Sequence, residues 1–304
     1  MSNQNILNDT QNKILNNYKN EPLFAPKGGK MPERDEVIDV IESVKNIIFP
    51  GFFKSESAYG EFSNHCVGYQ LSHTYTKLKE QIKAAFSYKC SDMPSDEAEK
   101  KACEISEHFI SQLPEVQRVL LTDVQAGFDG DPAAQSKEDI IFSYPGLFAI
   151  FVYRIAHILY KENVPYIPRI MTEYAHSLTG IDINSGATID EYFFIDHGTG
   201  IVIGETCVIG KNVKLYQGVT LGALSTRKGQ LLKGVKRHPT IEDNVTIYSG
   251  ASILGGETVI GRESIIGGNC FVTSSVPAGT KVSMKEPELI FKAPKADVSN
   301  KWEI

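Results

Sequence analysis

The sequence predicts an α+β protein: an N-terminal all-α domain over residues 1–179, a left-handed parallel β-helix with an extruded loop over 180–280, and a C-terminal tail over 281–304. Three observations predict this. Apolar residues recur at helical spacing in the first half, an aliphatic period of six replaces it after Thr179, and one basic stretch interrupts that period.

The helices come first. Arg34 to Phe49 puts Val37, Ile41, Val44 and Ile48 on one face, and Pro50-Gly51 ends the run. Thr74 to Phe86 repeats the pattern with Leu78, Ile82 and Ala85. Asp92 to Leu113 is polar and rich in Glu and Lys, and Pro114 is expected to break it. Asp131-Pro132 signals a turn. Leu147 to Tyr160 is apolar on nearly all sides, which predicts a helix buried between neighbours.

In the second half Ile203, Ile209, Leu215 and Leu221 stand six residues apart, and glycine follows three of them at 204, 210 and 222. A second series is read through Ile183, Ile189, Ile195, Ile201, Cys207, Val213 and Val219. The period returns at Ile241, Ile247 and Ile253, slips by one residue, and resumes at Ile260, Ile266 and Val272. A triangular coil explains this spacing: each unit is a short strand and a corner, and the aliphatic residue points into the prism. A sandwich of unrelated strands would instead show turn signals every 8 to 12 residues or so. The interruption, Ala223 to Pro239, is basic and lacks the period, as expected for a loop leaving the coil.

The chain has 304 residues, 41% hydrophobic and 22% charged, which suits two soluble domains. Its formal charge of -6 argues against nucleic acid or an anionic membrane as the main partner. The polar, Asn-rich N-terminus does not resemble a secretory leader. The five cysteines contain no CxxC pair and read as reduced thiols, so a cytoplasmic protein is expected.

The coil region holds two histidines, His197 and His238, both read as lying near the extruded loop and next to charged residues, Asp196 and Arg237. His197 is read as filling an inward slot six residues before Ile203, a costly place for an imidazole unless it is hydrogen-bonded or at an interface. The small residues of IDHGTG leave room for a ligand; the alternative is a satisfied core histidine. Histidine suits proton removal from a hydroxyl at neutral pH, and a carboxylate on its other nitrogen fixes the tautomer. A zwitterionic amino acid requires a guanidinium for its carboxylate and acids for its ammonium. Asp131, Asp182, Asp196 and Arg237 offer that set, and backbone amides at Gly222-Ala223 allow close approach of a thioester.

From Thr122 to Pro277 the sequence resembles the serine acetyltransferases of the hexapeptide-repeat acyltransferase family, on DPAA at 131–134, SYPGLFAIFVYRIAH, FFIDHGTGIVIGE, GVTLGA and KRHPTI. The resemblance implies acetyl transfer from acetyl-CoA to L-serine, giving O-acetylserine for cysteine biosynthesis, without a metal. It implies that His197 is the general base, paired with Asp182. Asp131 and Asp196 would hold the ammonium, Arg237 the carboxylate, and His238 would contact the hydroxyl. Gly222, Ala223, Ser249 and Gly268 would line the CoA groove. It further implies homotrimers with sites between adjacent coils, often paired into a dimer of trimers, and feedback inhibition by cysteine. The terminal Ile304 meets the minimum for entering O-acetylserine sulfhydrylase, and Trp302 reads as a partner or surface contact.

The sequence departs from the family pattern in three places. Asn184 stands where the family has histidine, MKEPEL replaces the usual GVPA ending, and the loop over 223–236 is longer and more basic. Arg227, Lys228 or Lys233 could reach CoA phosphates, although a solvated loop is the favoured reading. Rival readings are another acyl acceptor, such as homoserine, a sugar or an amino sugar; a zinc hydratase of the γ-carbonic anhydrase kind, which needs three histidines where the coil has two; and a scaffold that displays the tail.

Overall fold

A computed structural model describes residues 3–24, 29–53, 64–225, 227 and 229–285. The side chains of His65 and Cys66, residue Lys228, and the tail with Trp302 and Ile304 lie outside the described set. Among the described residues, seven α-helices occupy the N-terminal part: α1 (Asn3–Asn20), α2 (Arg34–Ile48), α3 (Asn64–Lys89), α4 (Ser95–Gly130), α5 (Lys137–Ser143), α6 (Pro145–Lys161) and α7 (Ile167–Thr179). None is long and apolar enough to cross a membrane. In α2, Val37, Val40, Ile41, Val44 and Ile48 are buried, the face its spacing predicts. The apolar run of α6 is buried on nearly every side, with Ile150, Phe151, Val152, Ile155 and Leu159 all enclosed.

Pro114 does not end its helix. It sits inside α4, which is 36 residues long in all. An interior proline costs about 3 kcal/mol because it removes a hydrogen bond and crowds the preceding turn. Buried Phe109 and Leu113 before it, and Val116 and Leu120 after it, form one stripe against the other helices. Each such side chain gains roughly 1.5–3 kcal/mol on burial, so packing outweighs the break.

Among the described residues, fourteen short strands, β1 to β14 in chain order, build a parallel β-helix of about five turns. One face stacks β1 (Asp182–Ile183), β4 (Val202–Ile203), β7 (Thr220–Gly222), β10 (Ser252–Leu254) and β13 (Phe271–Val272). The second stacks β2 (Thr188–Ile189), β5 (Val208–Ile209), β8 (Thr240–Ile241) and β11 (Val259–Ile260). The third stacks β3 (Phe194–Asp196), β6 (Lys214–Tyr216), β9 (Thr246–Ile247), β12 (Ile265–Ile266) and β14 (Lys281–Val282). Ladders such as Ile183–Ile203–Leu221–Ile253–Val272 run up the inside of the prism. Cys207 lies in a buried slot, and burial pushes its thiol up to about 12, so it acts as a small apolar group.

The helices dock on the first coil through a buried polar seam. Arg154 on α6 grips Asp123 on α4 with two hydrogen bonds, Nε to Oδ2 at 2.7 Å and Nη2 to Oδ1 at 2.9 Å. The same guanidinium donates to the carbonyls of Ile189 and Asp190, and Asp123 accepts the Phe193 N–H at 2.9 Å. Next to it Tyr153 donates to the Ala187 carbonyl, and one turn further on the His157 Nδ1–H donates to that of Ser185. The arginine and histidine of the RIAH segment therefore join the two architectures.

Because the Asp123 side chain is fully buried and that of Arg154 is 8% exposed, removing one partner strands the other charge away from water. Arg154→Met should destabilise the protein by about 3–5 kcal/mol in urea denaturation. A loss below about 1 kcal/mol, the range of a surface pair, would show that the seam does not hold the domains together.

Candidate active site

The corner after β3 breaks the period. Inward residues stand six apart along Ile183, Ile189 and Ile195, and along Ile203, Ile209, Leu215 and Leu221, but the step from Ile195 to Ile203 spans eight. The series read as continuous from Ile195 to Ile201 is thus two rows. Ile183, Ile189 and Ile195 pair with Ile203, Ile209 and Leu215, while Ile201, Cys207, Val213 and Val219 form a neighbouring buried row. Two extra residues bulge from the corner and His197 stands on the bulge, with φ at 58° and its side chain 70% exposed. His197 therefore does not fill an inward slot: the ladder closes without it, and the imidazole is lifted into solvent.

Several acidic groups gather around this corner. Asp196, largely buried, places Oδ1 3.7 Å from His197 Nδ1. The turn 197–200 stacks on Gly180–Asp182, where the Gly200 N–H donates to the Gly180 carbonyl and the Asp182 N–H to that of Ile201, both at 2.9 Å. Asp182 thus neighbours the bulge, but no hydrogen bond joins it to His197 among the described residues. Asn184 closes its own turn by accepting the Gly186 N–H at 3.0 Å.

Asp131 reaches the same corner from the helical domain. Gly130, the last residue of α4, lies flat against Phe194; an added Cβ would meet that ring at 2.7 Å. Lys214 on β6 donates to the Gly130 carbonyl, with its ammonium 5.0 Å from the Phe194 ring centre and 4.8 Å from that of Tyr216. The Asp131 carboxylate accepts from the Tyr144 hydroxyl at 2.6 Å and from the Ala133 N–H at 2.8 Å. These two bonds, helped by Lys214 and His197, hold Asp131 below the usual carboxylate range. Tyr144 and Lys214 are absent from the sequence-predicted set. The YPG segment signals the tyrosine, whereas nothing in sequence marks the lysine.

Arg237 and His238 lie on another edge of the prism. Backbone bonds from Gly200 to Gly180, Gly218 to Thr199, Gly250 to Gln217 and Asn269 to Ser249 trace the His197 edge, which also carries Ser249 and Gly268. The long loop leaves from Gly222-Ala223 at the next edge and returns there at Arg237-His238. His197 is therefore not beside the extruded loop, because it belongs to a different corner. The proposed CoA residues divide likewise, Ser249 and Gly268 on the first edge and Gly222 and Ala223 on the second.

The second edge is tightly bonded. The Thr206 hydroxyl accepts the N–H groups of Arg237 and His238 and donates its proton to His238 Nδ1 at 2.9 Å. Nδ1 also accepts the Thr206 N–H at 3.1 Å, so the ring is neutral with its proton on Nε2. Burial, with Arg237 alongside, lowers His238 to about 4. Arg237 pairs with Glu205, which also accepts from Tyr160 at 2.9 Å. Lys236 pins the returning loop by donating to the carbonyls of Thr206, His238 and Pro239. Arg227 and Lys233 are exposed.

One edge thus carries a charged corner with an exposed imidazole, and the next carries a guanidinium and a neutral imidazole. Among the described residues there is no cluster of His, Cys, Asp and Glu that could hold a metal ion. No protein-family model matches the chain. It is 45% identical over 272 residues to the plasmid serine acetyltransferase of Synechococcus elongatus, covering 87% of this chain and 85% of that protein. Serine acetyltransferase 1 of Entamoeba histolytica, solved with L-cysteine, superposes with a TM-score of 0.72 at 36% identity, covering 85% of this chain and 89% of that one. A serine acetyltransferase solved with CoA superposes with a TM-score of 0.52 at 26% identity, over 81% of this chain and 98% of that one. Identity at this level over most of both chains, with the same fold beneath it, makes this chain a member of the serine acetyltransferase family.

Proposed function

We infer that this chain moves the acetyl group of acetyl-CoA to the hydroxyl of L-serine, giving O-acetylserine. The observation that carries the reading is His197, lifted to 70% exposure beside Asp196 at the elongated corner of a family member. His197 takes the serine hydroxyl proton as the oxygen attacks the thioester carbonyl. The carbon–sulfur bond then breaks, and the imidazolium returns the proton to the departing thiolate. Asp182 pairs with the ring and stabilises its charged form. Asp131 and Asp196 hold the ammonium and Arg237 the carboxylate. His238, kept neutral, donates its Nε2–H to the substrate oxygen. Ser249 and Gly268 on one edge, and Gly222 and Ala223 on the next, line the path of the CoA arm.

The two edges cooperate between chains. Among the described residues no hydrogen bond or ion pair links His197 or Asp131 to Arg237 or His238, and the two sets occupy separate corners of one prism. A homotrimer sets the His197 edge of one copy against the Arg237 edge of the next. L-Cysteine, which the Entamoeba relative binds, presents the same ammonium and carboxylate as serine and acts as a feedback inhibitor here. Ile304 would carry an association with O-acetylserine sulfhydrylase. The free thiols at Cys90, Cys103, Cys207 and Cys270 suit the reducing cytoplasm.

CoA release from acetyl-CoA should depend on L-serine and fall by about 10²–10⁴-fold in His197→Ala. Release that persists in this variant would remove the base, and release with homoserine alone would move the acceptor. Mixing the inactive His197→Ala and Arg237→Ala chains and reassembling them should restore about a quarter of natural activity, from sites that pair an intact edge with an intact edge. No recovery from mixed trimers would place both edges of a site in one chain. Because the folded pKa of His238 lies below its ordinary 6.5, its contribution to stability is complete above that pH and is lost as pH falls toward about 4. NMR should find its ring neutral throughout the neutral range; titration near 6.5 would contradict the burial described.

A further inference from the structure

The geometry points to Tyr144 as a positioning residue that aims the Asp131 carboxylate and keeps it ionised for the substrate ammonium. This rests on the assignment of Asp131 to the serine ammonium.

The YPG segment creates the arrangement. Pro145 opens α6 and forces the residue before it out of the helical region, so Tyr144 takes φ -84° and ψ 116° and separates α5 from α6. The two helices bend by 74° there, which turns the tyrosine toward the end of α4. Gly146 then lets α6 press on β3: an added Cβ would lie 2.5 Å from the Ile195 carbonyl, one residue before Asp196. The Tyr144 ring forms one wall of a cavity of about 250 Å³, shared with Phe49, Phe53, Phe142 and Phe148. The residue is half-buried against the hydrophobic core, and its hydroxyl is aimed by the bond to Asp131.

Asp131 needs this support because it caps the C-terminal end of α4, where unpaired carbonyls disfavour a negative charge. Tyr144 donates to Oδ2 and the Ala133 N–H to Oδ1, one donor on each oxygen. Each oxygen keeps a lone pair for an incoming ammonium. The other charges facing this pair are Lys214 on β6, His197 and Asp196 at the bulge, and Asp139 on α5. Of these, Lys214 and His197 favour the ionised carboxylate. The bond to Asp131 pushes Tyr144 up to about 12, so the phenol keeps its proton and is neither acid nor base in the reaction.

Tyr144→Phe keeps the ring and deletes only the donor. Serine KM should rise roughly tenfold while kcat changes less than about twofold and the acetyl-CoA KM is unmoved. Losing the donor raises the Asp131 pKa, so the acid limb of kcat/KM for serine should shift to higher pH. Asp131→Asn, assayed in parallel, separates the two assignments. If it raises serine KM but Tyr144→Phe alters neither KM nor the acid limb, the positioning role is overturned and Asp131 keeps its own. If Asp131→Asn leaves serine KM unchanged, the ammonium assignment fails and the role of Tyr144 falls with it. A Tyr144→Phe protein with lower Tm, lower kcat and both KM values raised, but the natural acid limb, would make the hydroxyl merely structural.

Discussion

The buried pair between Arg154 and Asp123 is the contact on which the remaining geometry depends. It ties two helices to the carbonyls of Ile189 and Asp190 and to the N–H of Phe193, immediately before the strand that ends in Asp196. Taking two charges out of water is expensive unless every donor and acceptor finds a partner, and here backbone groups of the coil complete the set. Satisfaction of the pair therefore requires the helices to sit at one place on the first coil. That placement brings the end of α4, and with it Asp131, to the corner that holds His197. A hydrophobic seam of similar size would adhere without fixing the register so narrowly.

The second constraint is the closure of the coil. Six residues carry the chain from one inward position to the next, and the ladders leave no slack for extra chain inside the prism. An eight-residue step must therefore expel its surplus outward, and His197 is part of that surplus. The same logic operates at larger scale where the basic loop leaves after Gly222 and returns through Thr206, Arg237 and His238. The candidate site groups thus stand where the repeat is interrupted, at corners of the coil.

The imidazoles at these two interruptions are prepared differently. His197 stands in solvent with Asp196 beside it. His238 is enclosed, with Nδ1 occupied by Thr206 and its pKa lowered to about 4, so it is kept as a neutral donor. One residue type thus stands in two opposite environments, on different edges of the same prism.

Much of this was legible in the sequence. The helical stripes, the six-residue period and the extruded loop determine the architecture, because each follows from local spacing and from the need to bury one apolar row. The residue types of the site, and the family they resemble, were legible too. Tertiary structure alone decided that Pro114 lies inside a helix, since packing on both sides outweighed a local rule. It decided that His197 points outward, since spacing from Ile195 to Ile201 mimics the repeat and only strand pairing shows where one row ends and another begins. It also decided that Tyr144 and Lys214 belong beside Asp131, contacts that depend on how α4, α6 and β6 converge rather than on any spacing along the chain.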